Sequence, residues 1–398
     1  MNTQDYLELE ARYSAHNYAP LDVVLSRGSG AWVWDVDDNR YLDCLSAYSA
    51  LNQGHQHPRI VEALIEQAQR LSLVSRAFRQ DRFGPLCRKL CELSGFDKAL
   101  LMNSGAEAVE TAIKAARKWG YEHKGVPEGK AEIIVFGSNF HGRTTTIVGF
   151  SDDDTTHEYF GPYAPGFRLL PYGDLEEVRA AMHDGVAAIL VEPIQGEAGV
   201  IVPPEDFLPG LRSLCDQWDA LLICDEIQSG LGRAGALFAH QKMGVRADAV
   251  TVGKALSGGL YPVSAFLADD AVMQVFSPGT HGSTYGGNPL ACAVSIAALD
   301  VLIDEGLCER SDQLGGWLLR ELREQNLSKV RAVRGSGLWL GIDLEPEAGK
   351  ARTYVEQLMK RGVLCKDTQG STIRLAPPLI VLEEELRFLL EALIAVLK

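Results

Sequence analysis

The chain has no long apolar run. Nowhere do its 398 residues hold the roughly 18 consecutive apolar positions that a membrane helix needs. It has no excess of positive charge either: 38 Lys and Arg stand against 53 Asp and Glu, a formal net charge of −15. Such a surface repels phosphate backbones and anionic lipid, so neither nucleic-acid nor membrane-surface binding is expected. Cysteine is sparse and scattered. Cys87 and Cys91 form the only close pair, and no second Cys or His pair completes a zinc pattern, so both are expected on one face of a helix as small apolar side chains. Eight unclustered thiols, and a start that is acidic with no basic-then-apolar leader, lead us to expect a reduced, cytoplasmic protein. Also missing are a long linker, an internal repeat, a GxSxG elbow and an HExxH helix. Gly253-Lys254 is not a P-loop, because the earlier glycine and the following hydroxyl are absent.

What remains is an ordinary globular composition, 46% hydrophobic and 23% charged, which excludes a disordered or fibrous chain. The length suggests two or three domains. In the middle of the chain, Ala187–Val191, Ala220–Cys224 and Ala249–Val252 are short apolar runs of the kind buried on both sheet faces. Between the first two, Phe207, Leu208, Leu211, Leu214, Cys215 and Trp218 recur at helical spacing. A strand–helix–strand unit favours a mostly parallel sheet covered by helices, with ligand groups at the carboxyl ends of the strands. The polar residues there are Glu192, Asp225 and Lys254. A long helix is expected over 288–305 and an amphipathic one over 383–397. Ala31–Leu42 suggests a hairpin, and Val333–Leu344 is strand-like around the Gly335-Ser-Gly337 turn. The expected organisation is an α/β protein with residues 1–45 and 310–398 forming a smaller α+β domain around a large domain of residues 46–309.

Several residues could carry chemistry, each with a plainer reading beside it. Ser104-Gly-Ala-Glu107 is a capping box that could also leave open N–H groups for a phosphate. Asp225 ends a very apolar strand. It could face a cationic ring nitrogen or a metal, or be a surface acid beyond the strand end. Lys254 lies among small residues that allow close approach to a ligand; it could be a nucleophile or an exposed lysine. Gly282–Pro289 opens the long helix with two hydroxyls. Gly230–Gly235 has the letters of GxGxxG but is separated from its strand, so a flexible loop is expected. His55 and His57 suit a helix-entry loop better than a metal pair, and Ser151–Glu158 suits a solvated acidic loop.

Taken together and in order, these segments resemble the class III aminotransferases, fold-type I enzymes that use pyridoxal 5′-phosphate (PLP). The most specific stretch is Asp225-Glu-Ile-Gln-Ser-Gly-Leu-Gly-Arg233 followed by Lys254. Support comes from His16-Asn-Tyr18, Tyr48–His55, Ser75–Phe78, Glu192–Val200, Gly253–Ser264 and Ile373–Pro378, so the likeness runs from Tyr18 to the last helix. Within the class it is greatest to the branch that acts on ornithine. The resemblance implies that Lys254 carries the cofactor and moves the proton, and that Asp225 pairs with its ring nitrogen. It assigns Gln228 to the ring hydroxyl, Phe140 and His141 to the ring wall, Gly105 and Ala106 to the phosphate, and Thr284 to the phosphate from a partner subunit. Arg143 and Tyr18 would bind the α-carboxylate of L-ornithine, with Tyr48 lining the pocket. Arg374 would bind the α-carboxylate of L-glutamate or 2-oxoglutarate, and Glu197 would neutralise it when a diamine is present. The implied reaction is transfer of the δ-amino group of L-ornithine to 2-oxoglutarate by a homodimer; N-acetylornithine and 4-aminobutyrate are the alternative substrates. Three positions depart from many relatives: His141 where some have Trp, Gln56 where many have Cys, and Ala234 where Thr is common.

Overall fold

The computed structural model describes residues Met1–Lys398. Three N-terminal strands, β1 (Leu25–Ser29), β2 (Trp32–Asp35) and β3 (Arg40–Asp43), form an antiparallel meander. The centre of the molecule is a seven-stranded sheet. Its strands are β4 (Lys98–Met102), β5 (Glu132–Phe136), β6 (Phe167–Leu170), β7 (Val186–Val191), β8 (Leu221–Asp225), β9 (Ala249–Val252) and β10 (Ser264–Ala268). They lie in the order β4-β10-β9-β8-β7-β5-β6. Pairing is parallel from β6 across to β9, and only β10 runs against its neighbours. This is the α/β fold with a mostly parallel central sheet that the sequence predicts.

The alternation of side chains explains why these strands are apolar throughout. Ile133, Val135, Ala188, Leu190, Leu221 and Ile223 enter one core, against Val109, Ile113 and Trp119 of the helix Gly105–Glu122. Their neighbours Ile134, Phe136, Ile189, Val191, Leu222 and Cys224 enter the other, with the helices Phe207–Trp218 and Pro289–Asp304. With both faces covered, the central strands β7, β8 and β9 stay apolar until their carboxyl ends, Thr251 excepted, whose hydroxyl donates to Asp225. Each fully buried Leu, Ile or Val contributes about 1.5–3 kcal/mol. At the carboxyl ends the pattern switches: Val191 is followed by Glu192, Cys224 by Asp225, and Val252 by Gly253 and Lys254.

The last five strands are β11 (Val330–Gly335), β12 (Leu340–Leu344), β13 (Val363–Leu364), β14 (Lys366–Thr368) and β15 (Thr372–Leu375). Four of them form an antiparallel sheet in the order β11-β12-β15-β14. The fifth, β13, leaves that sheet and pairs parallel with β3, Val363 opposite Leu42. Trp32 Nε1 also donates to Glu385 in the final helix, Glu383–Leu397. On these contacts we propose the division into residues 1–45 with 310–398, and 46–309. No helix is long and apolar enough to cross a membrane.

Two expectations need correction. Gly230–Gly235 is no flexible loop. Its first five residues are buried, and Arg233, with no exposed surface, donates to the carbonyls of Leu338 and Pro377 at 2.7 Å and to Asn52 Oδ1 at 2.6 Å. The separation of the motif from its strand suggested a loop; the three buried acceptors that fix it come from distant segments. Ser151–Glu158 contains one helical turn, Asp154–His157, because the Asp153 side chain accepts from the Thr155 N–H.

Candidate active site

The strand ends converge on a cavity of about 170 Å³ lined by Gly105, Ala106, Phe140, His141, Glu192, Asp225, Gln228 and Lys254, among others. Asp225 is not a surface acid. It is buried, and both of its oxygens are engaged. Oδ1 accepts from the Ile227 N–H and the Thr251 hydroxyl, both at 3.0 Å, and Oδ2 pairs with His141 Nδ1 at 2.6 Å. Three donors from three elements fix one rotamer. Burial works against a charged His141, but the hydrogen bond and charge of Asp225 outweigh it and raise the imidazole above its usual range. His141 therefore backs Asp225 as well as forming part of the wall.

Lys254 lies two residues past the end of β9, after Gly253, in the left-handed region at φ 44°, and opens a short 3₁₀ turn, Lys254–Ser257. That strained backbone aims the side chain off the sheet edge and into the cavity. Burial pushes its ammonium below the ordinary lysine range, while Glu197 and Asp225 pull the other way. A lysine so lowered has more neutral amine, which a nucleophile or general base requires.

Across from it, the helix Gly105–Glu122 starts with the expected capping box. The Ser104 side chain accepts from the Glu107 N–H, and the Glu107 side chain accepts from the Ser104 N–H. The N–H groups of Gly105 and Ala106 lie in the first turn of this 18-residue helix, where no intrahelical acceptor exists. Both residues line the cavity, and a Cβ on Gly142 would lie 2.9 Å from the Ala106 Cβ, so small residues keep this end open. A carboxylate locked by three donors, an amine on the cavity wall and two open N–H groups on a helix N-terminus would fit the ring nitrogen, aldehyde and phosphate of PLP.

Glu192 is the third strand-end group. Its carboxylate accepts from the Phe140 N–H at 3.0 Å and the Gly196 N–H at 3.5 Å. Burial raises it to about 7. A raised carboxyl stabilises the fold fully below its unfolded value of 4.5, and that contribution is lost as pH rises toward 7. The melting temperature of Glu192→Gln relative to the parent should therefore rise between pH 5 and pH 8, by a free-energy difference on the order of 2 kcal/mol. Scanning calorimetry of both cofactor-free proteins at the two values checks this; a pH-independent difference would show that Glu192 stays ionised.

Beyond Gln228 stands a second ion pair, of a buried arginine with a partly exposed glutamate. Arg374, on β15, has no exposed surface; its Nη1 meets Glu197 Oε1 at 2.5 Å and its Nη2 donates to Gln228 Oε1 at 2.6 Å. Lys366 Nζ lies 3.4 Å from the other Glu197 oxygen. Burial favours a neutral Glu197, but Arg374 and Lys366 outweigh it and hold the carboxyl down to about 2. The pair is thus ionic across all ordinary pH. The Tyr48 ring lies 5.7 Å from the Arg374 guanidinium carbon and 4.8 Å from Lys366 Nζ. Arg143 and Tyr18 mark a different, exposed place at the rim, 5.7 Å from guanidinium to ring, and Arg143 lies equally far from the Phe140 ring.

Most of the residues anticipated from sequence thus surround one space. Thr284 does not: it is exposed and lines no part of this cavity within its own chain. The carbonyl oxygen of Gln228 is engaged by Arg374, and its amide nitrogen packs where a side chain on Gly196 would stand. Sequence reading missed Lys366, Thr251 and Ile227. The signal for Lys366 was its two-residue spacing from Thr368 on a strand, since Thr368 also touches Glu197 through the backbone carbonyl. Nothing local marked Thr251, which lies inside an apolar run.

Comparison with known proteins gives a consistent picture. The family model for "Aminotransferase class-III" matches residues 13–397. The chain is 58% identical over 378 residues to the ornithine aminotransferase of Bordetella pertussis, covering 95% of this chain and 92% of that protein. It superposes with a TM-score of 0.98, at 44% identity, on the ornithine aminotransferase from Toxoplasma gondii crystallized in the presence of oxidized glutathione, which shows partial occupancy of PLP at its active site; the match covers 100% of this chain and 94% of that one. An acetylornithine aminotransferase from Elizabethkingia anophelis gives a TM-score of 0.90 at 47% identity, covering 100% and 99%. With its sheet, its strand-end lysine and acid and a match over nearly its whole length, the chain belongs to the class-III aminotransferase family and is a fold-type I transaminase.

Proposed function

We propose that this enzyme transfers the δ-amino group of L-ornithine to 2-oxoglutarate, with PLP as cofactor, giving L-glutamate and glutamate 5-semialdehyde, which cyclises to 1-pyrroline-5-carboxylate. The observation that carries the reading is the Glu197–Arg374 pair, joined to the cavity through Gln228, while the exposed Arg143 lies near the ring of Tyr18 and that of Phe140, which lines the cavity. An ornithine molecule presenting its δ-amine puts its only carboxylate far from Lys254, at Arg143 and Tyr18. Its alkyl chain then passes Arg374, which would be an uncompensated buried charge without Glu197. A 2-oxoglutarate molecule brings a carboxylate close to Lys254, and Arg374 must be released to take it. The second Glu197 oxygen already faces Lys366, so the displaced carboxylate keeps a cationic partner. Tyr48 closes the side of the pocket between the two cations.

PLP, when bound, supplies a ring that accepts the electrons left on the substrate carbon when its proton departs. Asp225 would keep the ring nitrogen protonated, and His141 and Thr251 keep Asp225 in place for it. Lys254 would carry the cofactor and then shuttle the proton at the substrate carbon. Gly105 and Ala106 would hold the phosphate. We further propose a homodimer in which Thr284, exposed in the single chain, adds its hydroxyl to the neighbouring subunit's phosphate site.

Titrating the purified holoenzyme with L-ornithine should convert its visible absorbance to that of the amine form of the cofactor, and 2-oxoglutarate should restore it. N-acetylornithine and 4-aminobutyrate serve as competing amines; a band moved by either but not by ornithine would redirect the assignment. Arg374→Lys should weaken the 2-oxoglutarate half-reaction by about ten- to a hundredfold, because an ammonium cannot reproduce two parallel guanidinium bonds to a carboxylate. The ornithine half-reaction should suffer less, and equal losses would count against the Glu197–Arg374 switch.

A further inference from the structure

Arg374 belongs to a row that crosses its sheet. Arg334 on β11 is opposite Gly341 on β12, Gly341 is opposite Arg374 on β15, and Arg374 is opposite Lys366 on β14. Directly opposed residues share a sheet face. The row is therefore three cations with a gap at the glycine.

The loop that carries Glu197 fills the gap. Gln195 and Ile201 exchange backbone hydrogen bonds of 3.1 and 2.9 Å and close the loop at its base. A Cβ at position 341 would lie 2.3 Å from the Gly199 carbonyl oxygen. Each cation of the row grips the loop. Arg374 and Lys366 meet the two oxygens of Glu197, and Arg334 donates to the Gly199 carbonyl twice, from Nε at 3.0 Å and from Nη2 at 2.7 Å. Arg334 is itself fixed by Asp343, whose Oδ1 accepts from Arg334 Nη2 at 2.9 Å and from the Thr372 hydroxyl at 2.6 Å. Thr372 stands two residues before Arg374 on β15. One Arg–carboxylate unit outside the cavity thus joins the loop bearing Glu197 to the strand bearing Arg374.

We propose that Arg334, held by Asp343, is a positioning residue that sets the balance between the closed and open forms of the Glu197–Arg374 pair, and with it the relative use of a diamine and a dicarboxylate. The inference rests on the ornithine and 2-oxoglutarate reading above. Arg334 lines no part of the cavity and acts only through the Gly199 carbonyl. Two charge-assisted bonds to that carbonyl keep Glu197 over Arg374. Without them the loop gains freedom, the closed pair is populated less, and Arg374 more often lies uncovered beside the alkyl chain of a diamine.

The test is the half-reaction kinetics of the holoenzyme and of Arg334→Gln, Arg334→Lys and Gly341→Ala, with a melting curve for each. Arg334→Gln should raise the KM for L-ornithine about tenfold, the loss of one or two hydrogen bonds from a charged donor. The KM for 2-oxoglutarate should stay level or fall, and kcat with 2-oxoglutarate should be unchanged. Arg334→Lys, which keeps the charge and one donor, should fall between parent and Gln variant. Gly341→Ala deletes no hydrogen bond but pushes the same carbonyl from the sheet side, and should shift the ratio of the two KM values in the same direction. A merely structural role would lower both half-reactions together, in step with the melting temperature. Proportional losses, or an unchanged ratio in the folded variants, would overturn the proposal. Should Arg334→Gln fail to fold, Gly341→Ala decides alone. If the parent enzyme itself does not use ornithine, the functional reading falls first and takes this inference with it.

Discussion

Lys254→Ala is expected to reduce turnover by at least about 10⁴-fold and to remove the visible absorbance of lysine-bound cofactor. The magnitude follows from two roles lost at once, covalent attachment and proton transfer at the substrate carbon. No neighbour can replace either one. Asp225 is engaged by three donors, and Glu197 is paired with Arg374. Burial pushes the Lys254 amine below its ordinary range, and it is the only amine among the side chains that line the cavity. The variant should fold: the side chain it removes borders the cavity, although the left-handed backbone at 254, φ 44°, remains a strain. Added PLP should still bind through Asp225 and the N–H groups of Gly105 and Ala106, giving the spectrum of free aldehyde. Retention of turnover within tenfold would refute the assignment of Lys254.

Asp225→Asn is the second large effect. Asn keeps the size and one acceptor, so Thr251 and the Ile227 N–H can still hold it. What it removes is the negative charge that would face a protonated ring nitrogen. Preorganised electrostatic partners of this kind are worth about 10²–10³ in rate. Both half-reactions depend on the same ring, so both should fall by the same factor, unlike the lopsided losses predicted for Arg374→Lys. Single-turnover kinetics with ornithine and with 2-oxoglutarate separates the two patterns. The lysine-bound absorbance should survive. The hydrogen bond and charge of Asp225 are what raise the His141 imidazole above its usual range, so its pKa should fall in the variant, a shift visible in its proton resonances. A loss smaller than about threefold would mean that the ring nitrogen needs no anionic partner here.

The strand ends were legible because both sheet faces are buried. A strand that must be apolar throughout makes its first polar residue conspicuous, and Glu192, Asp225 and Lys254 all declared themselves that way. The helices Phe207–Trp218 and Glu383–Leu397 were legible for the complementary reason, a regular apolar stripe with clear limits. The strand Ala249–Val252 has the bounds that its apolar run predicts. Capping chemistry is local, so Ser104 and Glu107 could be paired from three residues of spacing. Roles for particular residues came from the ordered resemblance across many segments, because any one lysine or capping box has a plainer explanation.

Other features could not be read locally. Ser46, Ala47, Tyr48 and Ser49 all adopt left-handed backbone, at φ 51°, 46°, 60° and 71°, without a glycine among them. Each costs about 1–2 kcal/mol, and no propensity favours it. The turn is held by Asp43, which accepts the N–H groups of Leu45 and Ser46 at 2.9 Å, and it sets the Tyr48 ring beside Arg374. Arg233 has the look of a solvated residue in a glycine-rich loop, and its acceptors lie on Asn52, Leu338 and Pro377, far away in sequence.

By itself, then, the sequence determined the alternation of apolar strands and amphipathic helices, the polar groups at the strand ends, and a net negative charge. These follow from periodicity, burial and net charge, which act within one element or on the whole surface. The tertiary structure alone decided which partners those groups meet: His141 with Asp225, Glu197 between Arg374 and Lys366, Arg334 on the Gly199 carbonyl. Such pairings depend on strand register and on the close approach of segments far apart in sequence, 84 residues for His141 and Asp225 and 177 for Glu197 and Arg374. A hydrogen bond depends on distances of a few tenths of an ångström, which no local pattern records.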